Sequence, residues 1–333
     1  MNDRSILSHS RLRAVAELGQ QIWLDLNDAD LPAAAALDAW IADGVEGLCL
    51  DGADRSAALA PLQRACDQLA RLHRASVGQA GLVSVPLAPG LAHDSAALLN
   101  AARTLWQAID RPNAMLALPA TPAGLAALEQ AVFEGMNINL SQVYSLGQIR
   151  AARAAHRRGL ARRLEAKLPV QGIASAVSVE IAALDAAVDA QLRHSSAASA
   201  DSAALHGRAA LAAARLAWHD AQHDGGFAVF AAFGAAPQRL LWRGTACTAP
   251  APRDVRYVEG LIAHGTSAAL TPATLAAFCD HGVAAPALEA ADCQAARDVL
   301  TQLAHLGIAL ESVGASLQQA ALLQNGQALA AAA

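Results

Sequence analysis

Short apolar runs alternate with longer Ala- and Leu-rich stretches along nearly the whole chain. This order is expected when parallel strands are each followed by a covering helix, because a strand buried on both faces reads as a continuous apolar run. The pattern predicts strands near Gln21 to Leu26, Gly47 to Leu50, Gly81 to Leu87, Met115 to Pro119, Met136 to Ser141, Gly172 to Val179, Arg239 to Arg243 and Thr266 to Leu270. Eight parallel strands close a barrel, so the predicted fold class is α/β, a single (β/α)8 TIM barrel. An N-terminal helical extension covers residues 1–20, the barrel with its extra C-terminal helices covers 21–325, and an Ala-rich tail covers 326–333.

The clearest unit is MLALPATPAGLAALEQAVFEGMNINLSQ, beginning at Met115. Thr121 suits a helix N-cap, Pro122 suits the first helical position where a missing N–H costs little, and Gly135 can adopt the left-handed conformation that stops a helix. Thr271 and Pro272 repeat the device, with Gly282 closing that helix. The polar segment His194 to Asp201 (HSSAASAD) reads as a loop between long helices.

Composition supports one large core. The 333 residues are 54% hydrophobic and 16% charged, which excludes a disordered chain. The net charge of -5 and the lack of basic runs interleaved with aromatics argue against a nucleic-acid partner. Five cysteines, Cys49, Cys66, Cys247, Cys279 and Cys293, stand singly without metal spacing, which fits a reducing cytoplasm. No export signal and no apolar run of membrane-spanning length is expected. Lys167 is the only lysine in the chain.

Three segments carry a family resemblance: ELGQQIWLDLNDADL, RTLWQAIDRPNAMLALPATPAGLAALEQAVFEGMNINLSQVYS and RYVEGLIAHGTSAALTPATLAAFCDHG. They resemble the first strand, the fourth and fifth strand region and the C-terminal part of transaldolases, particularly the actinobacterial form, over about Leu18 to Val313. The resemblance implies the same barrel. It also implies an activity: transfer of a dihydroxyacetone unit between sugar phosphates through an imine on a lysine, needing no cofactor.

Only an amine can form that imine, whose protonated form accepts the electron pair released in C–C cleavage. The family's lysine precedes "IPAT"; here that position is Ala117. The family glutamate of strand three falls on Pro86, which cannot relay a proton. The "TSNP" motif of strand two reads Cys49, Leu50, Asp51, Gly52, so its asparagine becomes Asp51. Resemblance carries roles over only to Asp25, the acid/base aspartate of strand one, to Asn139, and to Ser141 and Ser175 as hydroxyl-bearing positions. The arginine expected after strand six falls on Glu180, and "STGTK" reads Gly244, Thr245, Ala246, Cys247, Thr248. Arg243 lies nearby, although alternation alone does not fix which way it points. Lys167 precedes strand six, at the N-terminal face, whereas barrel catalysis sits at the C-terminal face.

Other signals are weaker. His219 and His223 share a helix face at metal-ligand spacing but lack a third ligand nearby in sequence, so a surface face is the default. Asp94 after His93 reads as a helix cap. No metal, phosphate loop, dinucleotide fingerprint or nucleophile elbow is indicated. The first reading is therefore a transaldolase-like pseudoenzyme binding an unknown small molecule or protein partner. A second is an enzyme using Asp25 with Asp51 or Glu180 in acid/base chemistry on a non-phosphorylated substrate. A third is residual transaldolase activity on the sugar phosphates of the pentose phosphate pathway.

Overall fold

The computed structural model describes residues 11–27, 31–51, 59–194, 203–247, 253–288 and 293–332. Eight parallel strands form a closed barrel in sequence order: β1 (Gln21–Asn27), β2 (Val45–Asp51), β3 (Leu82–Pro86), β4 (Ala114–Pro119), β5 (Ile138–Val143), β6 (Ser175–Glu180), β7 (Arg239–Arg243) and β8 (Thr266–Leu270). The barrel expected from the apolar pattern is thus present. Helices Leu59–Ala75, Ser95–Ile109, Pro122–Glu134 and Leu146–Glu165 each follow a strand and cover the outside. The short helix over 11–17 contributes Leu12 and Val15 to the main core. The C-terminal helix Leu310–Ala332 runs through the position where a tail was expected to begin. The segment HSSAASAD lies outside the described residues apart from His194, which ends helix Ala182–His194.

Strand geometry sorts the interior into layers. Side chains alternate across a strand, so residues two apart share a face. Trp23, Cys49, Leu82, Met115, Ala176, Leu241 and Ala269 pack together inside the barrel. Two residues further along the same faces come Asp25, Asp51, Ser84, Ala117, Ser178 and Arg243, and Glu180 and Pro86 follow one step on. The chain thus changes from apolar to polar just where the strands reach the C-terminal mouth.

The caps follow from local chemistry. Thr121 Oγ1 accepts from the Gly124 N–H at 3.0 Å and donates to the Ala92 carbonyl, while Gly135 ends the helix at φ +88°. Thr271 caps its helix by accepting from Thr274 N–H. Gly282 closes that helix in an extended conformation, and glycine is needed there because a Cβ would collide with the Phe278 ring. Thr121→Ala removes both bonds from a buried site and is expected to cost about 1–2 kcal/mol of stability in urea denaturation.

Several strand boundaries differ from expectation by one to three residues, two of them for a clear backbone reason. β6 begins at Ser175 rather than near Gly172, because Gly172 takes φ +75° in a turn. β5 continues to Val143, past an irregularity where Gln142 adopts φ +58°. Such bulges re-aim side chains at barrel rims.

Candidate functional site

A cavity of about 460 Å³ opens at the C-terminal ends of the strands. Asp51, Pro86, Ala117, Asn139, Ser141, Glu180 and Arg243 all line it. Register explains the convergence. Pro86 pairs with Ala117 across β3 and β4, Ala117 with Asn139 across β4 and β5, and Glu180 with Arg243 across β6 and β7. The C-terminal helix covers one side through Ala321 and Leu322, and Gln318 donates to the Gln142 carbonyl. Glu311 of the same helix accepts from Ser145 Oγ at 2.6 Å and from the Gly147 N–H at 2.9 Å, which fixes it to the rim.

Charge is concentrated on one side. Arg243 points inward, settling the question that alternation left open. Its Nη2 donates to Asp25 Oδ1 at 2.6 Å and to Asp51 Oδ2 at 2.5 Å, its Nε donates to Asp25 Oδ2 at 3.3 Å, and its Nη1 stands 4.0 Å from Glu180 Oε1. Three carboxylates therefore surround one guanidinium, leaving a formal excess of two negative charges when all are ionised. Burial pushes the Glu180 carboxyl up to about 7, opposed by Arg243 and reinforced by Asp25 and Asp51. Burial likewise raises Asp25, with Arg243 pulling the other way. Gly244 takes φ +59°, and a Cβ there would lie 3.0 Å from Glu180 Oε2, so the turn after β7 leaves room for this carboxylate.

The opposite side is neutral. Asn139 Nδ2 donates to Ser84 Oγ and Ser178 Oγ donates to Asn139 Oδ1, both at 2.9 Å, forming a buried chain across the interior. Ser141 Oγ donates to the Leu118 carbonyl. Ala117 presents a methyl group at the end of β4, where the resemblance implies an amine. Tyr144 lines the cavity as well, its phenol pushed up by burial and by Glu180.

The structure does not bring every expected residue together. Ser175 is not at the mouth: it is the first residue of β6, and its Oγ accepts from Gln238 Nε2 at the N-terminal end of the barrel. Ser175 alternates with the inward-facing Ala174 and Ala176 and stands five residues before Glu180, so Ser178 is the strand-six hydroxyl in the mouth layer. Asp25 reaches the mouth layer but does not line the cavity, because its oxygens are taken up by Arg243. Lys167 is exposed, at φ +58°, just past helix Leu146–Glu165 at the far end of the barrel. Gly52 and Thr248 lie outside the described residues.

Sequence reasoning missed Ser84, Ser178, Gln142 and Tyr144. For the two serines a signal existed, since each stands an even number of residues from an inward-facing neighbour. Asp94 is a helix cap, accepting from the Ala97 N–H at 2.9 Å. His219 and His223 stack with ring centroids 4.1 Å apart on helix Ala209–Gln222 and its C-terminal end, away from the mouth. Among the described residues no single helix is long and apolar enough to cross a membrane.

Comparison with known proteins agrees with the architecture. The sequence pattern of the transaldolase/fructose-6-phosphate aldolase family matches residues 45–332. A transaldolase of Thiobacillus denitrificans is 35% identical over 343 residues, covering 93% of this chain and 95% of that protein. One of Neisseria gonorrhoeae is 36% identical over 346 residues, covering 94% and 95%. Transaldolase 1 of Streptomyces coelicolor is 36% identical over 277 residues, covering 82% and 72%. On this extent of similarity and this barrel, the chain belongs to the transaldolase/fructose-6-phosphate aldolase family.

Proposed function

We propose that this barrel does not carry out Schiff-base transfer of a dihydroxyacetone unit, and that its mouth binds a small, non-phosphorylated polar ligand. The observation that carries the reading is the charge of the cavity. Arg243 is the cavity's one cation among the described residues, and Asp25, Asp51 and Glu180 already surround it. A phosphate would have to displace carboxylates from that guanidinium and then sit beside them, so the dianion is disfavoured. A hydroxyl- or amine-bearing ligand instead finds acceptors in Asp51 and Glu180 and polar side chains in Asn139 and Ser141.

Ala117 supports the same reading, because a methyl cannot attack a carbonyl. Lys167, the chain's only lysine, is exposed at the other end of the barrel. The unpaired thiols of the five cysteines support a reducing, cytoplasmic setting. Calorimetric titration tests the ligand class. Fructose 6-phosphate is expected to bind the mouth no more tightly than fructose, in wild type and in Glu180→Gln alike. A phosphate-dependent gain of about tenfold or more, lost on substituting Arg243, would overturn the reading.

One observation favours a second reading, acid/base catalysis on such a ligand. Glu180 faces the cavity with a carboxyl near 7, so at neutral pH both of its protonation states are available for proton transfer. This reading expects turnover to require Glu180; the binding reading expects none.

A further inference from the structure

A second cavity, of about 320 Å³, lies near the N-terminal ends of the strands, between helices Leu146–Glu165 and Ala209–Gln222 and the start of β7. Helix Leu146–Glu165 projects Arg150, Arg153 and Arg157 from one face, because positions three and four apart align on a helix. Two aspartates face them. Arg150 Nη2 pairs with Asp220 Oδ2 at 2.8 Å, and Arg157 Nη1 pairs with both oxygens of Asp224 at 2.6 Å. Arg153, between them, has no ion-pair partner among the described residues, and its Nε is buried without a hydrogen bond.

Two more polar groups on the cavity wall are unsatisfied. His156 is 1% exposed and its Nε2 has no partner; Gln238 is 6% exposed and its Oε1 has none. Burial, together with Arg153 and Arg157, holds the imidazole down at about 3, so it is neutral and the positive charge here belongs to arginine. Buried polar groups left unpaired are uncommon in native proteins and call for a missing partner. Gln222, His264 and Thr266 add polar groups to the wall, while Trp218, Phe227, Pro237 and Leu240 give it an apolar side, on which the Phe227 ring lies nearly parallel to His156, at 11° and 6.2 Å between centroids.

We propose that this cavity is a second ligand site, which takes a small planar monocarboxylate with its carboxylate on Arg153 and its ring against Trp218 and Phe227. One carboxylate matches the single excess charge of three arginines against two aspartates. A phosphate dianion would over-neutralise it beside Asp224. The site is separate from the mouth in position and in charge, since arginines outnumber carboxylates here whereas carboxylates outnumber the single arginine at the mouth. Aromatic and aliphatic side chains beside a few placed polar groups that fix orientation are the usual form of a small-molecule site, and Trp218 and Phe227 beside Arg153 supply both here.

Fluorine NMR of para-fluorobenzoate with the full-length protein tests this. Saturable binding is expected, weakened roughly tenfold or more in Arg153→Met and unchanged in the mouth variant Glu180→Gln. The neutral isostere para-fluorobenzyl alcohol is expected to bind roughly tenfold more weakly than the acid. If Arg153→Met does not fold, that comparison of acid with alcohol on the wild-type protein still decides the matter. Absence of saturable binding, equal binding of acid and alcohol, or full retention in a folded Arg153→Met would each overturn the proposal.

Discussion

Replacing Arg243 with methionine is expected to destabilise the barrel by about 3–5 kcal/mol at pH 8, the range for removing one member of a buried ion-pair cluster. Methionine approximates the aliphatic stem, so the loss reflects charge more than packing. Asp25 and Asp51 would lose contacts of 2.6 and 2.5 Å to the guanidinium, and Glu180 would lose the only force that opposes its rise. With that cation gone, burial holds protons on Asp25 and Glu180 more tightly than the unfolded chain does. Stability of the variant should therefore recover as the pH falls from 8 towards 5, and the gap to wild type should narrow. Urea denaturation at several pH values reads this directly. A loss of the same size at every pH would mean that packing, not charge, holds Arg243 in place.

Glu180→Gln is expected to act in the opposite direction. The Glu180 carboxyl sits at about 7 in the folded protein against an ordinary value of 4.5. A carboxyl raised in this way favours the folded state below about 4.5, and that contribution is lost as the pH rises through about 7, where burying the charge becomes costly. The full displacement corresponds to about 3 kcal/mol. Because 20% of the side chain remains exposed to the cavity, solvent reduces this to roughly 1–3 kcal/mol. The variant should gain that much stability at pH 8, and the gain should fade between pH 7 and 4.5. Loss of stability at pH 8 would instead mean that attraction to Arg243 outweighs burial.

The barrel was legible because its strands are short apolar runs between capped helices. Thr121, Pro122 and Gly135 mark one helix at both ends, and the structure uses all three as expected. Strand boundaries were less legible. Gly172 belongs to a turn, and the left-handed Gln142 extends β5 by a local irregularity that no glycine announces. The direction of Arg243 was hidden for a different reason. In Arg239–Arg243 both faces of the strand are buried, one in the barrel and one under helices, so Leu240, Leu241 and Trp242 show no alternation.

The site divides in the same way. Pro86, Ala117, Asn139 and Glu180 could be placed by motif position, since each lies at the C-terminal end or the middle of a strand whose register is short and regular. Ser175 could not, because it opens β6 and alternates with the inward-facing Ala174 and Ala176, which puts it at the opposite rim beside Gln238. The Ser84–Asn139–Ser178 chain joins three strands, and such pairings depend on tertiary closure that sequence spacing does not encode.

Reductive trapping tests the proposed loss of imine chemistry most directly. The protein is incubated with fructose 6-phosphate, treated with borohydride, digested and mapped by mass spectrometry. No covalent adduct is expected on any residue, because Ala117 offers no amine and Lys167 lies exposed at the far end of the barrel. A borohydride-dependent adduct on Lys167 would contradict the proposed loss.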